Sequence, residues 1–195
     1  MKGSRVCVYI ASSLDGFIAG PDDDLSWLTE AEPEAAASFG EDDSVDGALS
    51  YEEFMAGIGA LLMGRRTYDA LLGFGVPWPY GERPVLVATS RPLDADPVKT
   101  VRRVEGSIDE LIELAQEAAT GGDVYLDGGT LIRQAAEADL IDDLTITIAP
   151  IAIGAGSPLF AGLTNRYPLE IVSHHSFPGG MVQVRVRPRR VRARG

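Results

Sequence analysis

The residues best suited to chemistry in this chain are two arginines held between a glycine and a threonine, Gly64-Arg65-Arg66-Thr67. Apolar Leu61-Leu62-Met63 precedes them, and Asp69-Ala70-Leu71-Leu72 follows at helical spacing. The pattern predicts a buried strand that turns directly into a helix. At such a junction unpaired backbone N–H groups and the positive end of the helix dipole face outward, and a glycine lets the chain approach a ligand closely. Forked guanidinium donors suit phosphate oxygens. The expected guest is an anion. The same residues would also serve as a solvated corner with Thr67 capping the helix, so the assignment depends on the rest of the chain.

Two further stretches support a ligand. Asp123 to Arg133 repeats the design: an apolar strand through Val124, Tyr125 and Leu126, then Asp127, the pair Gly128-Gly129, Thr130 and Leu131 at a helix start. The strand Pro84–Ala88 runs into Thr89-Ser90-Arg91-Pro92, two hydroxyls and a guanidinium, and in parallel α/β sheets ligands gather beyond the carboxyl ends of strands. Neither junction carries a G-x-G-x-x-G fingerprint or a Walker loop. Between Ser12 and Pro21, a loop that keeps Phe17 and Ile18 is expected to cover a ligand. Thr145 and Thr147 alternate onto one face of a strand, where buried hydroxyls need backbone or ligand partners. His174 and His175 lack cysteine partners and helical His spacing, so they read as surface or turn histidines and no metal is expected.

The elements that must position these groups alternate. Val6 to Ala11 is an apolar, β-branched run expected at the centre of a sheet. Trp27 reads as a core anchor, and the acidic segment 30–46, interrupted by Pro33, as helix broken by loop. Tyr51, Phe54, Met55 and Ile58 stand at i, i+3, i+4 and i+7, an amphipathic helix. A Gly/Pro-rich loop, Gly73 to Gly81, precedes the Pro84–Ala88 strand, and Val98 to Val104 is the strand after that. Ser107 and Glu110 form a capping box for a helix through Leu111, Ile112 and Ala115. Leu144 to Ala149 is a strand, Ile153 to Phe160 a glycine-rich loop, and 169–186 a hairpin turning at Pro178-Gly179-Gly180.

The chain has 195 residues, 45% of them hydrophobic, which suits one compact α/β domain. The single Cys7 precludes an intramolecular disulfide and a Cys-cluster zinc site. No run reaches membrane-spanning length and none resembles a secretion signal, so a soluble cytoplasmic protein is expected. A net charge of −12 disfavours nucleic acid. The last residues nevertheless carry Arg185, Arg187, Arg189, Arg190, Arg192 and Arg194. Such a tail could touch RNA or an acidic partner; the preferred reading is a closing strand followed by a solvated, frayed end over 187–195. A homodimer is the expected assembly.

In this order and spacing the motifs Ala11-Ser12-Ser13-Leu14-Asp15-Gly16, Met63 to Tyr68, Thr89 to Pro92, Asp127-Gly128-Gly129 and Leu144 to Phe160 resemble the dihydrofolate reductase superfamily. Within it the chain resembles the reductase domain of riboflavin biosynthesis and its small stand-alone relatives. The resemblance runs almost end to end. It implies a three-layer fold with a mixed, mainly parallel central sheet, flanking helices and a C-terminal antiparallel hairpin, and NADPH across the sheet's carboxyl edge.

Gly64, Arg65, Arg66 and Thr67 match the family's pyrophosphate and 2′-phosphate loop, and Thr89, Ser90 and Arg91 its adenosine-side contact. Gly128 and Gly129, joined in the family by a cis peptide, support the cofactor with Leu126, Thr130 and Leu131. Ala11 and Ile18 match positions beside the nicotinamide. Asp15 and Trp27 match its mobile loop, and Thr147 and Phe54 the substrate pocket. Ser50 stands where folate reductases carry a carboxylate, and no zinc deaminase pattern is present. The implied function is NADPH-dependent reduction of a small heterocyclic or ribose-derived substrate, foremost the phosphoribosylamino-pyrimidine of riboflavin synthesis. Asp15 or a bound water is the candidate proton donor, with Ser50 or Thr147 orienting it. The alternatives are a folate or pterin reductase and a non-catalytic NADPH-binding regulatory module.

Overall fold

The computed structural model describes residues 3–30, 47–93 and 99–190. Most of the acidic stretch expected to be broken helix lies outside these residues, as does the end of the arginine-rich tail. Among the described residues the order is β1 (Val6–Ser13), β2 (Phe17–Ala19), a 3-10 turn (Pro21–Asp23), α1 (Trp27–Glu30), α2 (Tyr51–Ala56), β3 (Ile58–Gly64), α3 (Arg65–Gly73), β4 (Val85–Ala88) and β5 (Val101–Val104). Then follow α4 (Ile108–Ala118), β6 (Asp123–Asp127), α5 (Gly129–Glu137), β7 (Asp143–Ala149), β8 (Ser157–Pro158), β9 (Leu169–Ser176) and β10 (Val182–Pro188).

One eight-stranded sheet, ordered β5-β4-β3-β6-β1-β7-β10-β9, carries the fold. Its first six strands are parallel, and β10 and β9 close it antiparallel. The central strands are apolar without alternation because both faces are covered. On one face Val8, Leu62, Leu126 and Leu144 pack under α4 and α5 through Leu111, Ile112 and Ile132. On the other, Leu61, Met63, Val85 and Tyr125 pack with Phe54, Met55 and Tyr68 of α2 and α3. Burying a side chain of this size contributes about 1.5–3 kcal/mol.

Three expectations are corrected. The helix read through Ile58 ends at Ala56, and Gly57 lets Ile58 open β3. The loop carrying Phe17 and Ile18 is a strand, β2, paired antiparallel with β8 from the glycine-rich loop. Gly156 permits the close approach: its φ is +141, and a Cβ there would lie 2.0 Å from the Ala19 carbonyl oxygen. The start of the arginine tail is fastened rather than frayed. Arg185 and Arg187 both reach the buried Asp143, at 2.7 and 3.0 Å, and Arg190 reaches Asp142 at 3.1 Å.

His174 and His175 lie within β9 rather than in a turn, and the His175 ring faces Gly47. No described helix is long and apolar enough to cross a membrane.

Candidate active site

The carboxyl ends of β3, β4, β5, β6 and β1 open into one cleft of about 980 Å³. That is the upper end of the range for ligand sites, room for a long ligand or for two side by side. Both strand-to-helix junctions border it. At the first, Gly64 is extended and is followed by Arg65 and Arg66 in the first turn of α3; a Cβ on Gly64 would meet nothing within 4 Å. At the second, Gly128 has φ +96, and a Cβ there would lie 2.6 Å from Thr67 Oγ1. The two junctions therefore touch, and only glycine fits between them.

Twelve of the expected cofactor contacts line this cleft: Ala11, Ile18, Gly64, Arg65, Arg66, Thr67, Thr89, Ser90, Gly128, Gly129, Thr130 and Leu131. Two do not. Leu126 is fully buried on the α4/α5 face, since a strand residue next to a cleft-facing one points the opposite way. Arg91 is exposed, outside the cleft, with its N–H on Thr89 Oγ1. The Gly128–Gly129 peptide is trans, where the resemblance implies cis.

The phosphate-type arginines are engaged with carboxylates and carbonyls of the chain. Arg65 donates to Asp69 at 2.6 Å and to the Pro92 carbonyl at 2.8 Å. Arg66 grips Asp23 with two donors, at 3.0 and 2.6 Å, across the mouth of the cleft. Arg133 lines the cleft from α5 and donates to the Pro158 carbonyl.

The residues expected to do catalysis lie elsewhere. Asp15 is a fastening group: it accepts from Ser13 Oγ at 2.6 Å and from the N–H groups of Ile153 and Gly154 at 3.2 and 2.7 Å. The Ser13 hydroxyl, then those backbone donors, hold its carboxyl below the usual range, which is wrong for a proton donor at neutral pH. Ser50 is the N-cap of α2, in a reciprocal capping box with Glu53. Trp27 and Phe54 are buried outside the cleft lining; Phe54 packs on Tyr9 and Tyr125 with ring centres 5.0 Å away. Thr147 sits beside Ala11 in register on β7, but its side chain joins a buried row with Gln183 rather than the cleft.

What the sequence reading missed is a bowl on the α2/α3 side. Tyr9, Tyr80, Tyr125 and Asp127 line it. Tyr51 packs edge-on against Tyr9 at 5.6 Å, and Tyr125 donates to the Tyr9 carbonyl at 2.9 Å. Asp127 ends β6, half-buried and open to the cleft, and accepts from the Gly128 N–H at 2.7 Å. Burial pushes its carboxyl up to about 6 against that N–H and the Tyr125 hydroxyl, which favour the charged form. Burial, and then the nearby Asp127 charge, push the Tyr51 phenol up to about 12 and the Tyr80 and Tyr125 phenols well above their usual value. The available signal was a carboxylate at the carboxyl end of a buried strand, immediately before a glycine pair.

A profile of the RibD C-terminal domain matches residues 78–183, more than half of the chain. The uncharacterised Bacillus subtilis protein YwjB is 31% identical over 181 residues, which cover 92% of this chain and 95% of that protein. The chain belongs to the RibD C-terminal domain family. Within that family a second Bacillus subtilis protein, YyaP, also uncharacterised, is 24% identical over 94% of this chain and 95% of its own length. A Shewanella sp. PV-4 structure, provisionally described as a riboflavin biosynthesis protein, superposes with a TM-score of 0.79 at 30% identity, covering 95% of this chain and 99% of that one. The RibD-type deaminase/reductase of Thermotoga maritima shares the fold alone, with a TM-score of 0.66 at 16% identity over 96% of this chain and 57% of that chain. The dihydrofolate reductase-like fold is thus common to this chain and its RibD relatives.

Proposed function

We propose that this member of the RibD C-terminal domain family is an NADPH-dependent reductase that delivers hydride to the carbon of a C=N or C=O group in a small planar heterocycle. The observation that carries the reading is the polarity of the one cleft. Arginines and open backbone N–H groups stand at its strand-to-helix junctions, and an aromatic bowl holding a single carboxylate stands beside Ala11. The cradle fits a dinucleotide: Gly64 is bare toward the cleft, Thr89 and Ser90 offer hydroxyls, and Ala11, Ile18 and Ala19 give a dry wall.

A bound nicotinamide supplies the hydride, and the chain supplies orientation and a proton. Arg65 and Arg66 would hold phosphate by charge-assisted bonds. Asp127, protonated near pH 6, gives its proton to the substrate nitrogen or oxygen as the neighbouring carbon gains hydride, and is reprotonated from solvent. Its position within the bowl supports this role over Asp15.

The test is a titration of NADPH fluorescence with purified protein, followed by turnover assays on pyrimidine, pterin and small carbonyl substrates. The phosphoribosylamino-pyrimidine for which the Thermotoga maritima enzyme is named belongs in that panel. Saturable binding with oxidation of NADPH by one substrate class supports the reading; no binding removes it. Binding without turnover across the whole panel would favour a non-catalytic NADPH-binding module.

A further inference from the structure

The reductase reading leaves the acceptor open, and the charge of the bowl narrows it. The cleft's lining guanidiniums, Arg65, Arg66 and Arg133, stand on the helices that start at the two junctions. Asp127 ends β6 beside the same junctions, in register with Met63 and bonded to the Gly128 N–H, but its own surroundings have the opposite character. Tyr9, Tyr80 and Tyr125 line the cleft around Asp127, and the groups that act on its carboxyl, the Gly128 N–H and Tyr125, include no Lys or Arg. The internal segments outside the described residues, 31–46 and 94–98, contain no Lys or Arg in their sequence and so have none to contribute. Arg83, whose charge reaches Tyr51, gives Nε and Nη2 to the Ile58 and Met55 carbonyls at 3.0 and 3.1 Å.

A phosphate ester in this bowl would meet a carboxylate with no cation bonded to it, and like charges in a partly desolvated site repel strongly. A flat ring with donor N–H groups meets the reverse: stacking faces from the tyrosines and an acceptor in Asp127. Resting on the reductase reading, we infer that the hydride acceptor is an unphosphorylated planar heterocycle, neutral or cationic, whose ring lies among Tyr9, Tyr80 and Tyr125 and whose ring or amino N–H donates to Asp127. Arginines recognise phosphate on the cofactor only. The assignment separates this chain from reductases that must hold a sugar phosphate on the acceptor.

The experiment compares a matched pair, 6-hydroxymethylpterin and its phosphate monoester, binding at pH 7.5 followed by pterin fluorescence. Both are titrated into the protein alone and into protein saturated with NADP. The free alcohol is expected to bind at least about tenfold more tightly than the phosphate in either state, since 1.4 kcal/mol of repulsion is a factor of ten. Asp127→Asn is expected to narrow that gap by weakening the alcohol and relieving the phosphate.

Equal or tighter binding of the phosphate overturns the inference, and so does absence of binding by both compounds up to millimolar concentration. A gap that survives in Asp127→Asn overturns the role of the carboxylate. Failure of NADPH to bind would instead remove the reductase reading, because the pair measured on the protein alone reports on the bowl independently.

Discussion

Asp23 grips Arg66 through both carboxylate oxygens, at 2.6 and 3.0 Å, so a side chain from the turn after β2 occupies the guanidinium best placed for a phosphate at the cleft mouth. Both groups are substantially exposed, 40% and 70%. Asp22 and Asp23 both have positive φ, 56 and 63, a conformation that costs a non-glycine residue little only when it is Asn or Asp. The turn is therefore held in place partly by the ion pair, and an incoming phosphate must displace Asp23.

Asp23→Ala is accordingly expected to tighten NADPH binding about two- to fivefold. That range corresponds to the worth of an exposed ion pair, up to about 1 kcal/mol. NADH, which lacks the extra phosphate, should gain less. Fluorescence titrations of both cofactors at low and moderate salt check this, and weaker NADPH binding by the variant would show that Asp23 supports the site rather than competing for it.

Removing the guanidinium has the opposite effect. Arg66→Ala should weaken NADPH about tenfold or more and NADH much less, because a charge-assisted hydrogen bond contributes roughly 1.5–3 kcal/mol. Arg65 is a poorer probe. It also ties α3 to the Pro92 carbonyl, so its loss would mix affinity with stability. Equal losses for the two cofactors in Arg66→Ala would place the extra phosphate elsewhere.

Asp127 predicts a pH dependence of fixed sign. Burial raises its carboxyl to about 6, so the protonated donor is lost as pH rises. kcat/KM should fall about tenfold per pH unit above that value. In Asp127→Asn the limb should vanish and the rate drop by roughly 10²–10⁴. Stability runs in parallel. A raised folded-state value favours the native protein below the ordinary carboxylate value, and this contribution is lost as pH rises through about 6. Asp127→Asn should thus gain about 1–2 kcal/mol at pH 7, the figure reduced for the residue's opening to solvent, and nothing at pH 4. Urea denaturation of both proteins at the two pH values measures the difference.

The contrast between Asp127 and Asp15 marks where sequence stops being informative. The strand-to-helix junctions were legible because glycine, arginine and apolar runs have local meanings: Gly128 has positive φ and sits against Thr67, Gly64 leaves the start of α3 bare, and the apolar runs of β3 and β6 are the centre of the sheet. The capping box at Ser107 was local too, and is present. Asp15 and Asp127 each precede glycine, and the glycine pair after Asp127 marks a junction without saying which carboxylate is buried in the cleft. Their difference is made by tertiary surroundings: the N–H groups of Ile153 and Gly154 for the first, burial in the cleft for the second. The arginine tail failed for the same reason, since Asp143 lies more than forty residues before Arg185 and Arg187.

Gln183 provides the test of how the bowl is held in shape. Its side-chain oxygen accepts the Leu49 N–H at 2.8 Å and its amide nitrogen donates to the Leu49 carbonyl at 3.0 Å, which pins the chain just before α2 to β10. The Tyr9 hydroxyl donates to the same carbonyl at 3.1 Å. Gln183 is only 3% exposed, so truncation leaves the Leu49 groups short of partners in a part-buried place. Gln183→Ala is expected to cost about 1–3 kcal/mol in chemical denaturation. Because α2 carries Tyr51 and Phe54 against Tyr9, the variant should also weaken binding of a flat ring several-fold, while NADPH affinity, which draws on the arginines of α3, falls less. Glu in place of Gln keeps the acceptor and loses the donor, so Gln183→Glu should recover only part of the stability. A variant as stable as the parent would show that water or Tyr9 alone satisfies Leu49, and that β10 does not set the position of α2.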